Sequence, residues 1–497
     1  MPLRNIPYKY IVAAVFVSGL FMDIMDSTVV NVTLPTLGRE FHAANTTLEW
    51  IITGYLLSLA VWIPAAGWVG DRFGTKKTFL FAMAIFTGCS ALCGFARSID
   101  QLILFRVLQG VGGGMMTPVG TAMLFRAFPP EERPKASAIL AVPTQIAPAL
   151  GPIFGGWLVT SVSWRWIFYI NLPVGILGFT FALLYLKEHT EETAGGFDFW
   201  GLVFSGGGLA LVLYALAFAP SYGWTSTRVM GTGLAGVLCF VLLVVVELRS
   251  THPILNLRLF SNRMFRNANL VFFMNGMGFI GTIFLLPLLL QEVLGATAFE
   301  SGLTTFPQAI AMMIGVQFTS RLYRRVGPRR MLRTGMIGTV ITASLFMLVG
   351  LGTNLWWIRG IMFLRGLGMA FTIVSNQAAT FSTIKPKDMG RASSLFSTNR
   401  QVSGSVGVAV LATVLASRTK VHVAAAAGAV PALRDEALRR ANLMAFHDAF
   451  FGVIVFAMLG ICFTFLIHDE DALAALRPVP QEQPNAVEQS ASAVQTG

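Results

Sequence analysis

The chain has 497 residues, of which 55% are hydrophobic and only 12% charged, and its mean hydropathy is +0.67. A sequence this apolar does not fold around a single water-excluded core, so the soluble enzyme and binding-module classes are excluded. A formal charge of +12 would in a soluble protein point toward nucleic acid, but here the Lys and Arg residues sit in short loops between apolar runs, where membrane orientation accounts for them.

Apolar runs of about 20 residues are each long enough to cross a hydrocarbon core of about 30 Å as a helix. In chain order they predict helices at about 10–37, 46–68, 77–97, 101–126, 136–161 and 165–186, then a pair at 198–219 and 228–248. A second set follows at 267–292, 300–323, 331–351, 357–381, 393–417 and 446–468. The fold class is therefore an all-α integral membrane protein of fourteen transmembrane helices, two six-helix bundles plus two extra central helices. The expected units are a first bundle over 1–190, a two-helix insertion over 191–250, a second bundle with its cytoplasmic linker over 251–470, and a disordered cytoplasmic tail over 471–497 rich in Pro, Gln, Ser and Ala. The first apolar run exceeds a signal-peptide core and no small-residue cleavage site follows it, so it reads as a retained helix.

Most basic residues fall in the N-terminal segment and in every second loop, which places both termini in the cytoplasm of a plasma or inner membrane. The opposite side carries a long outer loop at about 418–445. Cys89, Cys93, Cys239 and Cys462 lie in apolar runs without metal-site spacing and read as packing residues, so no metal is expected.

The two halves repeat. The segment Gly67 to Lys77, with Asp71, Arg72, Gly74 and Lys76, aligns with Ser320 to Arg330, and Lys135, Ser137, Gln145 and Gly151 align with Arg391, Ser393, Gln401 and Gly407. Two related halves around a central cavity are the architecture of alternating-access carriers.

Asp23 and Asp26 lie three apart in the first helix and share a face, and an ionisable group at that depth is a functional candidate by default. The plainer reading is a carboxylate permanently paired with a cation. Arg106 enters the fourth helix at a depth within about 8 Å of Asp26, a gap its side chain can bridge. A guanidinium that merely satisfies helix-end carbonyls is the alternative. Gly110, Gly112, Gly113 and Gly114, and then Gly151, Gly155 and Gly156, permit close helix approach, while Pro148 and Pro152 should bend the fifth helix. Asp71 and Arg72 sit at a turn where a carboxylate can cap a neighbouring helix.

These segments resemble the major facilitator superfamily. Gly67 to Lys77, Arg106 within Leu104 to Gly110, and Ala147 to Gly156 are similar to three of its signature motifs, the last typical of its antiporters. Met25 to Pro35, containing Asp26 and Asn31, and Glu247 to Phe260 resemble the fourteen-helix drug:proton antiporter branch, the EmrB/QacA type. The resemblance covers nearly the whole chain to about residue 470. It implies that Asp26 is the favoured proton carrier, that the Gly67 to Lys77 loop gates the cycle, and that the glycines of the fifth helix form a sliding interface.

Enzyme signals fail. Gly276, Gly278 and Gly281 fit a dinucleotide pattern, but inside an apolar helix without a preceding strand, and no Gly-Lys dipeptide occurs, which argues against a phosphate-binding loop. The expected energy source is the proton gradient, with no cofactor. In the second half Asn275, Asn376 and Gln401 offer neutral polar contacts, and Arg365 and Arg400 are its buried-charge candidates. Of these, Asn275, Asn376, Arg365 and Gln401 would line, with Asp23 and Asn31, a cavity whose carboxylates lie on one side, suited to neutral or singly charged cationic amphiphiles. The expected function is proton-coupled antiport in multidrug efflux by a functional monomer whose partners are lipid, protons and a small-molecule substrate, not nucleic acid, with any periplasmic adaptor unidentified. A dedicated metabolite, siderophore or lipid transporter and a non-transporting receptor or scaffold are the rival readings.

Overall fold

The computed structural model describes residues 6–43, 45–191, 195–251, 253–426 and 434–470, and the expected tail at 471–497 lies outside them. The first set comprises α1 (Tyr8–Phe41), α2 (Asn45–Phe73), α3 (Thr75–Phe95), α4 (Ile99–Ala127), α5 (Arg133–Ser161) and a single turn, α6 (Trp166–Tyr169), that runs into α7 (Asn171–Tyr185). Then come α8 (Phe199–Tyr222) and α9 (Thr227–Arg249), followed by α10 (Arg263–Leu288), α11 (Ala298–Val326), α12 (Pro328–Phe346), α13 (Leu355–Ser382), α14 (Met389–Ala426) and α15 (Arg434–Thr464). With α6 and α7 counted as one span, this is the all-α membrane fold that the apolar runs predict. Among the described residues there is no strand. Eleven of the helices are long and apolar enough to cross a bilayer on their own terms. The other long ones are held against neighbours: α5 packs along α1, α11 and α13, and α12 along α13 and α15.

Helix starts follow local chemistry. Ser98, Asp198, Ser226, Asn262 and Asn354 each accept a hydrogen bond from a backbone N–H of the turn they open, and Thr297 with Glu300 forms a reciprocal capping box at α11. The repeat seen in the sequence is also a repeat of turns. Gly74 between α2 and α3 has φ 103°, and Gly327 between α11 and α12 has φ 84°, a region that glycine enters without a Cβ penalty.

One expectation is corrected. The outer loop at 418–445 is largely helix, because α14 runs on to Ala426 and α15 starts at Arg434. The alanine-rich stretch after Lys420 has high helix propensity, and the Asp448 carboxylate ties the extensions together by accepting from Arg418 at 2.5 Å and contacting His422 at 2.8 Å.

Candidate functional site

A cavity of about 570 Å³ lies between the two sets of helices. Phe16, Leu20 and Ile24 of α1 form one wall, and Phe272, Asn275 and Phe279 of α10 and Phe396, Arg400 and Gln401 of α14 form the other. Leu213 and Leu216 of α8 close a third side, because α8 packs against both α2 and α14. Gly206 lets α8 approach α2 so closely that an added Cβ would stand 2.8 Å from the Val61 carbonyl. At the far end, Trp224 Nε1 donates to Thr413 Oγ1 at 2.8 Å and fastens the α8–α9 turn to α14. The lining is mostly apolar, with a few hydroxyls and amides from Ser27, Thr117, Thr121 and Gln377. Among the described lining residues, Arg400 is the one ionisable group.

Behind the α1 wall sits a buried polar network. Asp26 and Arg106 are each only 1% exposed, and Arg106 Nη1 donates to Asp26 Oδ2 at 2.5 Å. Asp26 Oδ1 accepts from Gln109 Nε2 at 3.0 Å and from Asn171 Nδ2 at 2.9 Å, so every partner is a donor, as an ionised carboxylate requires. Arg106 also donates to Gln109 Oε1 at 2.8 Å and to the Ile51 carbonyl at 3.3 Å. Its guanidinium lies over the Tyr55 ring at 4.2 Å, and the Tyr55 hydroxyl donates to Asp23. Thr117 Oγ1 donates to the other Asp23 oxygen at 3.4 Å. Tyr55 therefore joins the two carboxylates into one network, and Asp23 stands between it and Thr117, whose side chain does reach the cavity.

The helix ends joined by basic loops are shut. Gly67 N–H donates to Ser394 Oγ at 2.9 Å, and an added Cβ at Gly67 would run into the Gly390 main chain. The Asp71 carboxylate lies against Gly390 in the first turn of α14 and accepts from Arg126 Nη2 at 2.7 Å, while Arg126 Nε donates to the Pro386 carbonyl at 3.0 Å. Arg133 donates to the carbonyls of Phe381 and Ser382 at the end of α13, and Phe125 stacks on Phe381 at 4.5 Å. The linker helps fill this seal. Ile254 and Leu255 are buried in the same cluster, and the Leu255 N–H donates to Glu247 Oε1 at 2.9 Å.

A family model described as the Major Facilitator Superfamily matches residues 16–198 and 190–408. The chain belongs to that superfamily. Over 418 residues it is 34% identical to the multidrug resistance protein B homolog of Mycobacterium tuberculosis, covering 81% of this chain and 75% of that one. It is also 34% identical over 422 residues to the tetracenomycin C resistance and export protein of Streptomyces glaucescens, covering 84% and 77%. The crystal structure of the human organic anion transporter MFSD10 (TETRAN) superposes with a TM-score of 0.65 over 93% of this chain and 100% of that chain, and at 16% identity it speaks for the fold alone. As a major facilitator the chain is a multi-pass membrane transporter of small molecules rather than an enzyme.

Within this major facilitator the expected residues separate into groups. Asp26 and Arg106 are in contact, and Asn275 and Gln401 line the cavity. Arg365 does not reach it, being 2% exposed within the second set, and Asn376 is fully buried with its Nδ2 donating to the Ala268 carbonyl at 3.0 Å. The side chains of Asn31 and Pro152 lie outside the described residues. Pro148 lines the cavity, whereas Gly151 and Gly155 seat α5 on Thr28 and Val29 of α1. Gly156 faces open space and Arg72 is exposed. Lys76 N–H donates to Glu188 Oε1 at 2.9 Å, and the same carboxylate rests on Gly74. Sequence reasoning passed over Tyr55, Gln109 and Asn171. The signal for Gln109 was its i, i+3 spacing from Arg106, which puts both on one face. For Asn171 it was an amide at the start of an otherwise apolar helix.

Proposed function

We propose that this major facilitator is a proton-driven exporter of small, mostly hydrophobic compounds, working by alternating access in the fourteen-helix drug:proton antiporter branch. The observation that carries the reading is the buried pair of Asp26 and Arg106 set directly behind a mostly apolar cavity that is shut at its basic end. The names of the Mycobacterium and Streptomyces relatives support resistance and export as the direction of transport. The α8–α9 insertion supports the branch.

In this reading the unit over 1–190 rocks against the unit over 251–470, with 191–250 as a fixed lateral wall. Protonation of Asp26 would neutralise the group that holds Arg106 and leave a buried guanidinium without its countercharge, a state costly enough to drive α1 and α4 to a new arrangement. The Gly67 to Lys77 segment and the α1–α5 contact at Gly151 and Gly155 are the gating elements. The protein acts as a monomer in a plasma or inner membrane with both termini cytoplasmic, so a cysteine at position 434 is labelled from outside and one at 325 or 187 is not. Both carboxylates are withdrawn from the cavity, which takes away the physical ground for preferring cationic compounds.

Transport into liposomes under an imposed pH gradient tests the mechanism. Asp26→Asn fixes the neutral state at nearly the same shape and should abolish gradient-driven export while preserving ligand binding. Asp23→Asn should be milder. Wild-type coupling in Asp26→Asn would sink the assignment, and wild-type coupling in both variants would sink proton transfer through α1.

A further inference from the structure

The charge inside the cavity is the reverse of what the two aspartates suggest. Asp26 is enclosed by Arg106, Gln109 and Asn171, and Asp23 by Tyr55 and Thr117, so neither carboxylate is part of the cavity wall. Arg400 of α14 is part of it. Unlike Arg106 and Arg365, which are almost wholly buried, Arg400 is partly exposed, and its guanidinium makes no hydrogen bond or ion pair to a described residue. It interacts with Asp23 and Tyr55 only through the longer-range field. A fork of five N–H donors thus faces a mostly apolar space with its hydrogen-bonding capacity unspent.

Charge interactions strengthen as local polarity falls, so in this setting a guanidinium attracts an anion and repels a cation more strongly than it would in water. Its planar fork matches a carboxylate in a bidentate geometry that an ammonium centre cannot use. The rest of the cavity offers aromatic and aliphatic surface from Phe16, Phe272, Phe279 and Leu213, at a volume suited to drug-sized molecules. We propose that Arg400 is a specificity-determining residue and that the compounds carried are amphiphilic organic anions, an apolar ring-sized body bearing one carboxylate or phenolate. This rests on the reading of the cavity as the transport site. An interior-negative membrane also drives an anion outward, in the direction of export.

Three probes that share one aromatic body test the proposal: pyrenebutyrate, its methyl ester, and a pyrenebutyl-trimethylammonium salt. Binding to the full-length protein in detergent is read by tryptophan-to-pyrene energy transfer, with empty micelles subtracted. The wild type should bind the carboxylate roughly tenfold or more tighter than the ammonium probe. Arg400→Gln should weaken the carboxylate by a similar factor, leave the ester within about twofold, and improve the ammonium probe. Arg400→Lys should keep part of the preference, since it keeps the charge and loses the fork. Equal or tighter binding of the ammonium probe by the wild type would overturn the proposal. So would a uniform loss for all three probes in Arg400→Gln, which would mark Arg400 as a structural countercharge to Asp23. No gradient is applied, so failure of proton-driven export leaves this result standing, and failure here leaves export untouched.

Discussion

The centres of the two bundles share their packing and differ in their chemistry. Gly110 of α4 lets Tyr55 approach and Gly366 of α13 lets Gln308 approach, each through a backbone carbonyl, and Gly112 and Gly368 repeat the likeness two residues on. In that register Arg365 stands where Gln109 stands. Gln109 bridges Arg106 and Asp26, whereas Arg365 is 2% exposed with Nε and Nη1 lacking any partner among the described residues. One scaffold thus holds a fully compensated charge pair in the first half and an uncompensated cation in the second. Helix packing depends on small residues that allow close approach, while the polar residues between them are free to diverge.

Removing one charge from each centre gives the largest contrast. Arg106→Met strands a buried carboxylate and should cost about 3–5 kcal/mol in unfolding stability, while Arg365→Met removes a charge that has no ion-pair partner among the described residues and should cost nothing or stabilise. Thermal unfolding followed by tryptophan fluorescence ranks the two. Equal destabilisation would mean that Arg365 has a countercharge after all and would break the comparison. A smaller contrast sits at the closed end, where Gly67 and Ser320 are counterparts. A Cβ at Gly67 meets the Gly390 main chain, so Gly67→Ala should weaken the seal by about 1–3 kcal/mol and raise the reactivity of a cysteine placed at Thr121, inside the cavity, toward reagents added on the basic side. Ser320→Ala should leave that reactivity unchanged.

The smallest effect belongs to the loop that opens α5. Glu132 accepts a hydrogen bond from Lys9, which holds its carboxyl below the ordinary value of 4.5, whereas the α2–α3 and α11–α12 turns are tied alike in the two bundles, Lys76 N–H to Glu188 at 2.9 Å and Arg329 N–H to Asp469 at 2.8 Å. A depressed carboxylate contributes stability that is fully present above its unfolded value and is lost as the pH falls through the folded one. Glu132→Gln should therefore be less stable than the wild type at neutral pH by under about 1 kcal/mol, because the pair is partly exposed. The two proteins should converge as the pH drops below 4.5. A difference that persists in acid would assign the effect to packing.

The amino-acid sequence by itself determined the number, order and approximate ends of the helices, the turn shared by Gly74 and Gly327, and the depth of Asp26 and Arg106. Those properties are local: apolar length sets a span, small and polar residues set its ends, and a charge in an apolar run is costly wherever it lies. Tertiary structure alone decided which way each helix faces. It put Tyr55 between Asp23 and Arg106, turned Arg365 and Asn376 away from the cavity and Arg400 into it, and brought α8 into the wall. It also carried α14 and α15 into the segment expected as an outer loop. The reason is physical. Helices bathed in lipid are apolar on every side, so the pattern that marks the inward face of a soluble helix is absent, and orientation is settled by close packing and by the partners each polar side chain finds.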